Sequence, residues 1–146
     1  MYWDKKIETA TVTDLERRQF LLLKNQLNRV YENSVFYRRK FKDAGFHPSD
    51  FKEHSDVKKI PFLTREELEN EFEGVLSVPY NDIAIIRQTS GTTGHPLTIA
   101  HNKHDLEVVA EAYARKLTYH GITPKDIVQV TATYGLWQGA WSIHSG

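Results

Sequence analysis

Thr89 to Pro96, reading Thr-Ser-Gly-Thr-Thr-Gly-His-Pro, is the stretch whose residue types could do chemistry most directly, with four hydroxyl side chains and two glycines. Ser, Thr and Gly bury little apolar surface, so the segment is not core, and its glycines open backbone conformations closed to other residues. Successive backbone N–H groups in a tight glycine turn point into one concavity, and hydroxyls add donors around it. That arrangement suits an anion with several oxygens. The reading is a phosphate-gripping loop made of Thr89, Ser90, Gly91, Thr92, Thr93, Gly94 and His95. It departs from the nucleoside-triphosphatase pattern, which needs Gly-x-x-x-x-Gly-Lys-Ser/Thr opening a helix. Here only two residues separate Gly91 from Gly94, and Pro96 with the β-branched Thr98 and Ile99 predicts a strand leaving the loop. An unliganded Gly/Thr-rich hairpin turn is the alternative.

A second group is Tyr134-Gly135-Leu136-Trp137-Gln138-Gly139-Ala140-Trp141, which mixes aromatics with glycine. It follows a β-branched run, Ile127 to Ala132, that reads as a strand. In open α/β sheets ligands sit beyond the C-terminal ends of strands. His95, His101 and His104 lie close in sequence, yet no carboxylate accompanies them at ligand spacing, so they are read as solvated or capping and no metal site is assigned. His144 is open to a structural or a pocket role, and Trp141 to a core role.

The elements that must position these residues follow from periodicity. Thr13-Asp14-Leu15-Glu16 reads as a capping box opening a helix to about Tyr31, with Phe20, Leu23, Leu27 and Val30 on one face. Ser34 caps a second helix with Phe36, Tyr37 and Phe41, stopped by Gly45, and the run Arg38-Arg39-Lys40 on it reads as a solvated face. A turn near Ser55–Lys59 precedes Ile60-Pro61-Phe62, and Thr64-Arg65-Glu66-Glu67 is a second capping box, opening a helix to about Phe72. Val75 to Pro79 reads as an extended connector. Ile83, Ile85 and Ile86 then predict a strand into the loop, and Leu97 to about Ala100 a second strand. Asn102 caps a long helix that Gly121 stops. The expectation is an α/β fold in which residues 1–80 form a helical N-terminal segment and residues 81–146 begin an α/β nucleotide-binding subdomain. The sheet is expected to be mixed, with covering helices, and both parts are expected to belong to one larger, truncated domain.

Composition excludes several classes. Nineteen basic and nineteen acidic residues balance, which gives no electrostatic pull toward nucleic acid or an anionic membrane. No run reaches the roughly eighteen apolar residues of a membrane span, and Met-Tyr-Trp-Asp-Lys-Lys has no apolar signal core, so a cytoplasmic location is expected. With no cysteine there is no disulfide and no thiolate metal site. Tyr2 and Trp3 are expected to pack back onto a helix.

Four stretches together resemble the phenylacetate–coenzyme A ligases among the AMP-forming acyl-adenylate enzymes. Thr89 to Pro96 is similar to that family's Ser-Ser-Gly-Thr-Thr-Gly-Lys-Pro loop. Glu32-Asn33-Ser34-Val35-Phe36-Tyr37-Arg38 resembles its Glu-Asn-Ser-Pro-Phe-Tyr-Arg, and Ile60-Pro61-Phe62-Leu63-Thr64 its Leu-Pro-Phe-Thr-Thr. Tyr134-Gly135-Leu136-Trp137-Gln138-Gly139, with His144 and Gly146, is similar to Tyr-Gly-Leu-Phe-Thr-Gly followed by His-x-Gly. The resemblance covers nearly the whole chain but only the front of the family. It implies ATP-dependent activation of a carboxylic acid to an acyl-adenylate, then to a coenzyme A thioester. ATP, Mg²⁺ and coenzyme A are the implied cofactors. The loop from Thr89 to His95 would grip the β and γ phosphates, and Tyr134, Gly135, Trp137, Gly139 and His144 would line the acid's pocket.

Three departures bear on this. His95 stands where Lys is usual, Trp137 replaces Phe, and Ala140 replaces Gly. The family's adenine and ribose contacts, magnesium-holding acid and catalytic Lys map to no residue here, so no catalytic residue is assigned and the chain alone is expected to be inactive. An adenylating enzyme that does not use coenzyme A, a partner-dependent or non-catalytic nucleotide-binding fragment, and a structural domain remain alternatives. Self-association through the unfinished sheet is expected, with neither nucleic acid nor membrane as partner.

Overall fold

The computed structural model of the chain describes every residue except Ser90, Thr92 and Thr93. It forms two compact units, one spanning Ala10–Tyr80 and the other Asn81–Gly146 together with Met1–Thr9.

The Ala10–Tyr80 unit is helical. Its long helix α2 spans Val12–Asn33 and packs against α3, Val35–Asp43. The cap of α2 lies two residues before the expected Thr13: the Thr11 hydroxyl accepts the Asp14 N–H at 3.2 Å and donates to the Asp14 carboxylate at 2.6 Å. Thr11-Val12-Thr13-Asp14 offers the same pattern as Thr13 to Glu16, and the extended backbone at Thr11 decides between them. Ser34 caps α3 as expected, and Gly45 follows its end with φ +66°, the left-handed stop. Aromatic residues dominate the core. Phe41, Phe46 and Phe51 are buried with Leu27 and Val30, while Phe20 stacks on Phe51 at 4.9 Å. Two 3-10 turns, Pro48–Asp50 and His54–Lys59, lead to α4, Arg65–Asn70, where Thr64 and Glu67 form the expected reciprocal capping box. The helix expected to run to Phe72 breaks at Glu71, and a single turn, α5, covers Phe72–Val75.

Arg38 and Arg39 are exposed, as the solvated-face reading of the run Arg38-Arg39-Lys40 expects, whereas Lys40 is partly covered, and all three side chains are paired. Arg38 donates to the carbonyls of Tyr31 (3.0 Å) and Glu32, Arg39 pairs with Glu71, and Lys40 Nζ lies 2.5 Å from Glu67 Oε1. Long side chains reach carboxylates of the next elements, which spacing along one helix does not reveal.

In the second unit, β1 (Ile83–Gln88) pairs antiparallel with β2 (Thr98–Asn102), with Arg87 opposite Ile99 and Gln88 opposite Thr98. Asn102 caps α6, Lys103–Tyr119, by a capping box with Asp105. Trp3 returns to this helix as expected, its indole N–H donating to Glu111 at 2.8 Å, near a short N-terminal turn α1, Lys5–Glu8. A last helix, α7, covers Gln138–Ser145 and packs on α6. Sequence periodicity gave no sign of it, because Gly139 and the aromatics mask a helical repeat.

The strand expected at Ile127–Ala132 does not form. These residues are irregular, Ile127 is wholly exposed, and no strand lies beside them among the described residues. A β-branched run without a partner has nothing to complete its ladder. The architecture is α/β, and within the described residues the only parallel pairing is an isolated bridge between Gln88 and Trp137. No helix there is long and apolar enough to cross a membrane.

Candidate functional site

The hydroxyl-rich loop leaves β1 and returns through β2. Its neck is closed by two bonds between Thr89 and Leu97: the Thr89 N–H donates to the Leu97 carbonyl (3.0 Å), and the Leu97 N–H to the Thr89 hydroxyl (2.9 Å). Thr89 therefore fastens the loop's base, its hydroxyl accepting from Leu97 while its O–H stays available to donate. Beyond it, Gly91 has φ +67° and Gly94 φ +145°, and the Gly94 N–H reaches the Gly91 carbonyl at 3.1 Å. A Cβ on Gly91 would lie 2.9 Å from Pro96 Cγ, so the turn is closed to larger residues by space as well as by conformation. Gly94, His95 and Pro96 are exposed. The phosphate-gripping roles expected of Ser90, Thr92 and Thr93 lie outside the described residues.

The same strand end carries the second group. The Gln88 N–H donates to the Leu136 carbonyl at 2.8 Å beside the bridge to Trp137, so the Tyr134–Trp137 segment runs alongside the last residue before the loop. Two stretches separated by some forty residues in sequence thus meet at Gln88. The segment is braced internally. Trp141 donates its indole N–H to the carbonyls of Tyr134 (2.8 Å) and Gly135 (3.0 Å), and the rings of Tyr134 and Trp141 meet edge to face at 5.1 Å. The Tyr134 hydroxyl and His144 Nδ1 are hydrogen-bonded at 3.1 Å. His144 is thus tied to the segment, although it enters the helix only at its far end.

Gly139 lies under the Trp137 indole, where a Cβ would come within 2.3 Å of the ring. Gly135 meets nothing within 4 Å, so no contact demands its size. Ala140 is wholly buried, so its methyl fills the packing surface of α7; Trp137, 41% exposed, is the substitution that changes the open surface.

His95 and His104 are exposed, as expected, and only His101 departs. His104 is exposed, 3.5 Å from Glu107, whereas His101 Nε2 lies 3.3 Å from Gln138 Oε1 and links β2 to the first residue of α7. Among the described residues no group of three His, Asp or Glu side chains could hold a metal ion.

Sequence reading passed over Arg87. Its side chain is buried (3% exposed), its guanidinium carbon sits 6.0 Å from the Trp141 ring, and burial pushes its pKa below the usual guanidinium value. A signal was present: a charge closing the apolar run Ile83-Ala84-Ile85-Ile86 immediately before the loop.

No family model matches the chain. It is 40% identical over 141 residues to a phenylacetate-coenzyme A ligase of Escherichia coli (strain K12), an alignment covering 96% of this chain and 32% of that protein. A phenylacetate-coenzyme A ligase of Thermus thermophilus is 34% identical over the whole chain and 33% of its own length. In solved structures, 2-hydroxyisobutyryl-CoA ligase superposes with a TM-score of 0.90 at 30% identity over 99% of this chain and 32% of that one. The chain spans about a third of the length of the relatives it matches. In sequence and in fold it is homologous to the phenylacetate–coenzyme A ligases, an adenylate-forming family, and corresponds to their N-terminal part.

Proposed function

We propose that the chain supplies the pyrophosphate grip and one wall of the acid pocket of an AMP-forming carboxylate–coenzyme A ligase. The observation that carries this is the meeting at Gln88 of the Thr89–Pro96 loop and the Tyr134–Trp137 segment. A loop for phosphates and an aromatic wall for an acid must be adjacent if a carboxylate oxygen is to reach the α-phosphorus. The similar 2-hydroxyisobutyryl-CoA ligase is described with 2-HIB-AMP and coenzyme A, an adenylate and a thiol acceptor of this kind.

The residues fit a polyphosphate. Gly91 lies in the left-handed region, Gly94, His95 and Pro96 are exposed, and Ser90, Thr92 and Thr93 offer hydroxyl donors by their chemistry. Bound ATP would supply the activated phosphorus. Mg²⁺ would be held largely through phosphate oxygens and water, as that ion commonly is. Tyr134, Trp137 and Gly139 would orient an aryl or small carboxylic acid, with His144 fixing the Tyr134 hydroxyl. Coenzyme A as acceptor, a cytoplasmic location and residues 81–146 as the start of the nucleotide-binding subdomain belong to the same proposal.

Titration with Mg²⁺·ATP tests it. Saturable binding that weakens about tenfold in a Thr92→Ala/Thr93→Ala variant supports the grip, and affinity unchanged by that double substitution contradicts it.

A further inference from the structure

Arg87 is a buried cation without a described counter-charge. Its Nε and Nη1 are fully buried and have no hydrogen-bond partner among the described residues, whereas buried arginines are ordinarily paired because an unpaired desolvated charge is costly. The sheet register shows which way it faces. Ile85 lies opposite His101 and Arg87 opposite Ile99, so these four residues share one face. Helix α7 covers that face, since His101 reaches Gln138 and the Trp141 ring lies against the guanidinium. Trp141 is in turn anchored on the carbonyls of Tyr134 and Gly135. Arg87 is therefore held by an aromatic face, one residue before the point where the loop and the aromatic segment meet, with donors left over.

We propose that Arg87 is an oxyanion-binding residue of this site, its unpartnered N–H groups taking a carboxylate or phosphoryl oxygen of the ligand. The assignment rests on the reading of the loop and the Tyr134–Gly139 segment as one site. A guanidinium suits this task because its planar donors match both kinds of oxyanion and its charge does not depend on pH in the working range. It places a permanent positive charge near a loop where His95 carries one only in its protonated form.

The experiment follows the Arg87 Nε–H resonance in ¹⁵N spectra of the full chain, assigned by its loss in Arg87→Lys, with the Gly94 amide as a separate reporter of the loop. Pyrophosphate and phenylacetate are added to separate samples, each to about 10 mM. The expected result is a saturable shift of Arg87 Nε–H with one of them, which identifies the source of the oxyanion. The affinity for that ligand is expected to fall about tenfold in Arg87→Met and less in Arg87→Lys. An Arg87 signal unmoved by both anions overturns the proposal, as does unchanged affinity in a folded Arg87→Met. If Gly94 responds to pyrophosphate while Arg87 responds to nothing, the oxyanion role falls and the loop reading stands. If neither responds, both fall. Should Arg87→Met not fold, the wild-type resonance and Arg87→Lys still decide.

Discussion

Gly91 carries two constraints at once, a left-handed backbone and a neighbour, Pro96 Cγ, at 2.9 Å from where a Cβ would be. Gly91→Ala is expected to cost about 1–2 kcal/mol in the loop conformation alone. Pyrophosphate affinity measured by calorimetry should then drop about tenfold, and an unchanged affinity would show that the turn is dispensable. Gly139 is different. Its close neighbour is the far end of the half-exposed Trp137 side chain, which can swing away. Gly139→Ala should therefore leave the melting temperature within a few degrees, as is usual for sub-kcal/mol changes, while shifting the Trp137 emission. Residue types alone were enough to pick out the loop and the aromatic segment. Arg87 escaped notice because its meaning depends on burial without a partner among the described residues, a property of the packed chain.

At the scale of elements, caps decide where helices begin, and their depth decides what they contribute. Ser34 is wholly buried, accepts the Tyr37 N–H at 3.2 Å and donates to the Gly74 carbonyl at 2.7 Å. Thr11 is an exposed cap. Thr11→Ala should cost about 1 kcal/mol in denaturant unfolding and Ser34→Ala about 2, because the second also removes the donor to the half-buried Gly74 carbonyl; equal losses would contradict this.

The 3-10 turn at His54–Lys59 gives a pH signature. The Asp56 carboxyl is held down to about 2, first by its hydrogen bond with Lys59 and then by the N–H groups of Glu53 and Lys52. An unfolded Asp titrates near about 3.9, so this stabilisation is complete above that value and disappears as pH falls through about 2. The gap in melting temperature between the protein and Asp56→Asn should accordingly close between about pH 5 and pH 2. A gap constant over that range would refute it. Helix starts at Ser34, Thr64 and Asn102 were readable because a cap and its partner lie within one turn. The strand expected at Ile127–Ala132 was not, because a strand needs a neighbour that local sequence does not specify.

At the scale of the molecule, the described residues of the unit containing the site form a sheet of two strands, with Ile127 wholly exposed and Val128 47% exposed beside it in sequence order. Unpaired strand edges and exposed β-branched residues favour pairing with a second chain. Sedimentation at about 100 µM is expected to show reversible dimers or larger species, and a monomer at that concentration would contradict self-association. The four motif stretches made the family legible over nearly the full sequence. What they could not convey is the junction at Gln88, which depends on a backbone hydrogen bond to Leu136, on the far side of β2 and α6 in sequence.

The junction at Gln88 joins the proposed phosphate loop to the proposed acid-binding wall, and paired calorimetric titrations check both halves. Pyrophosphate and phenylacetate would each be titrated into the wild-type chain, Thr92→Ala/Thr93→Ala and Trp137→Ala. The loop variant is expected to lose about tenfold in pyrophosphate affinity and the Trp137 variant a similar factor for phenylacetate, while each keeps the other ligand. Failure of the wild-type chain to bind either anion, or the same affinities in all three proteins, would contradict the proposed site.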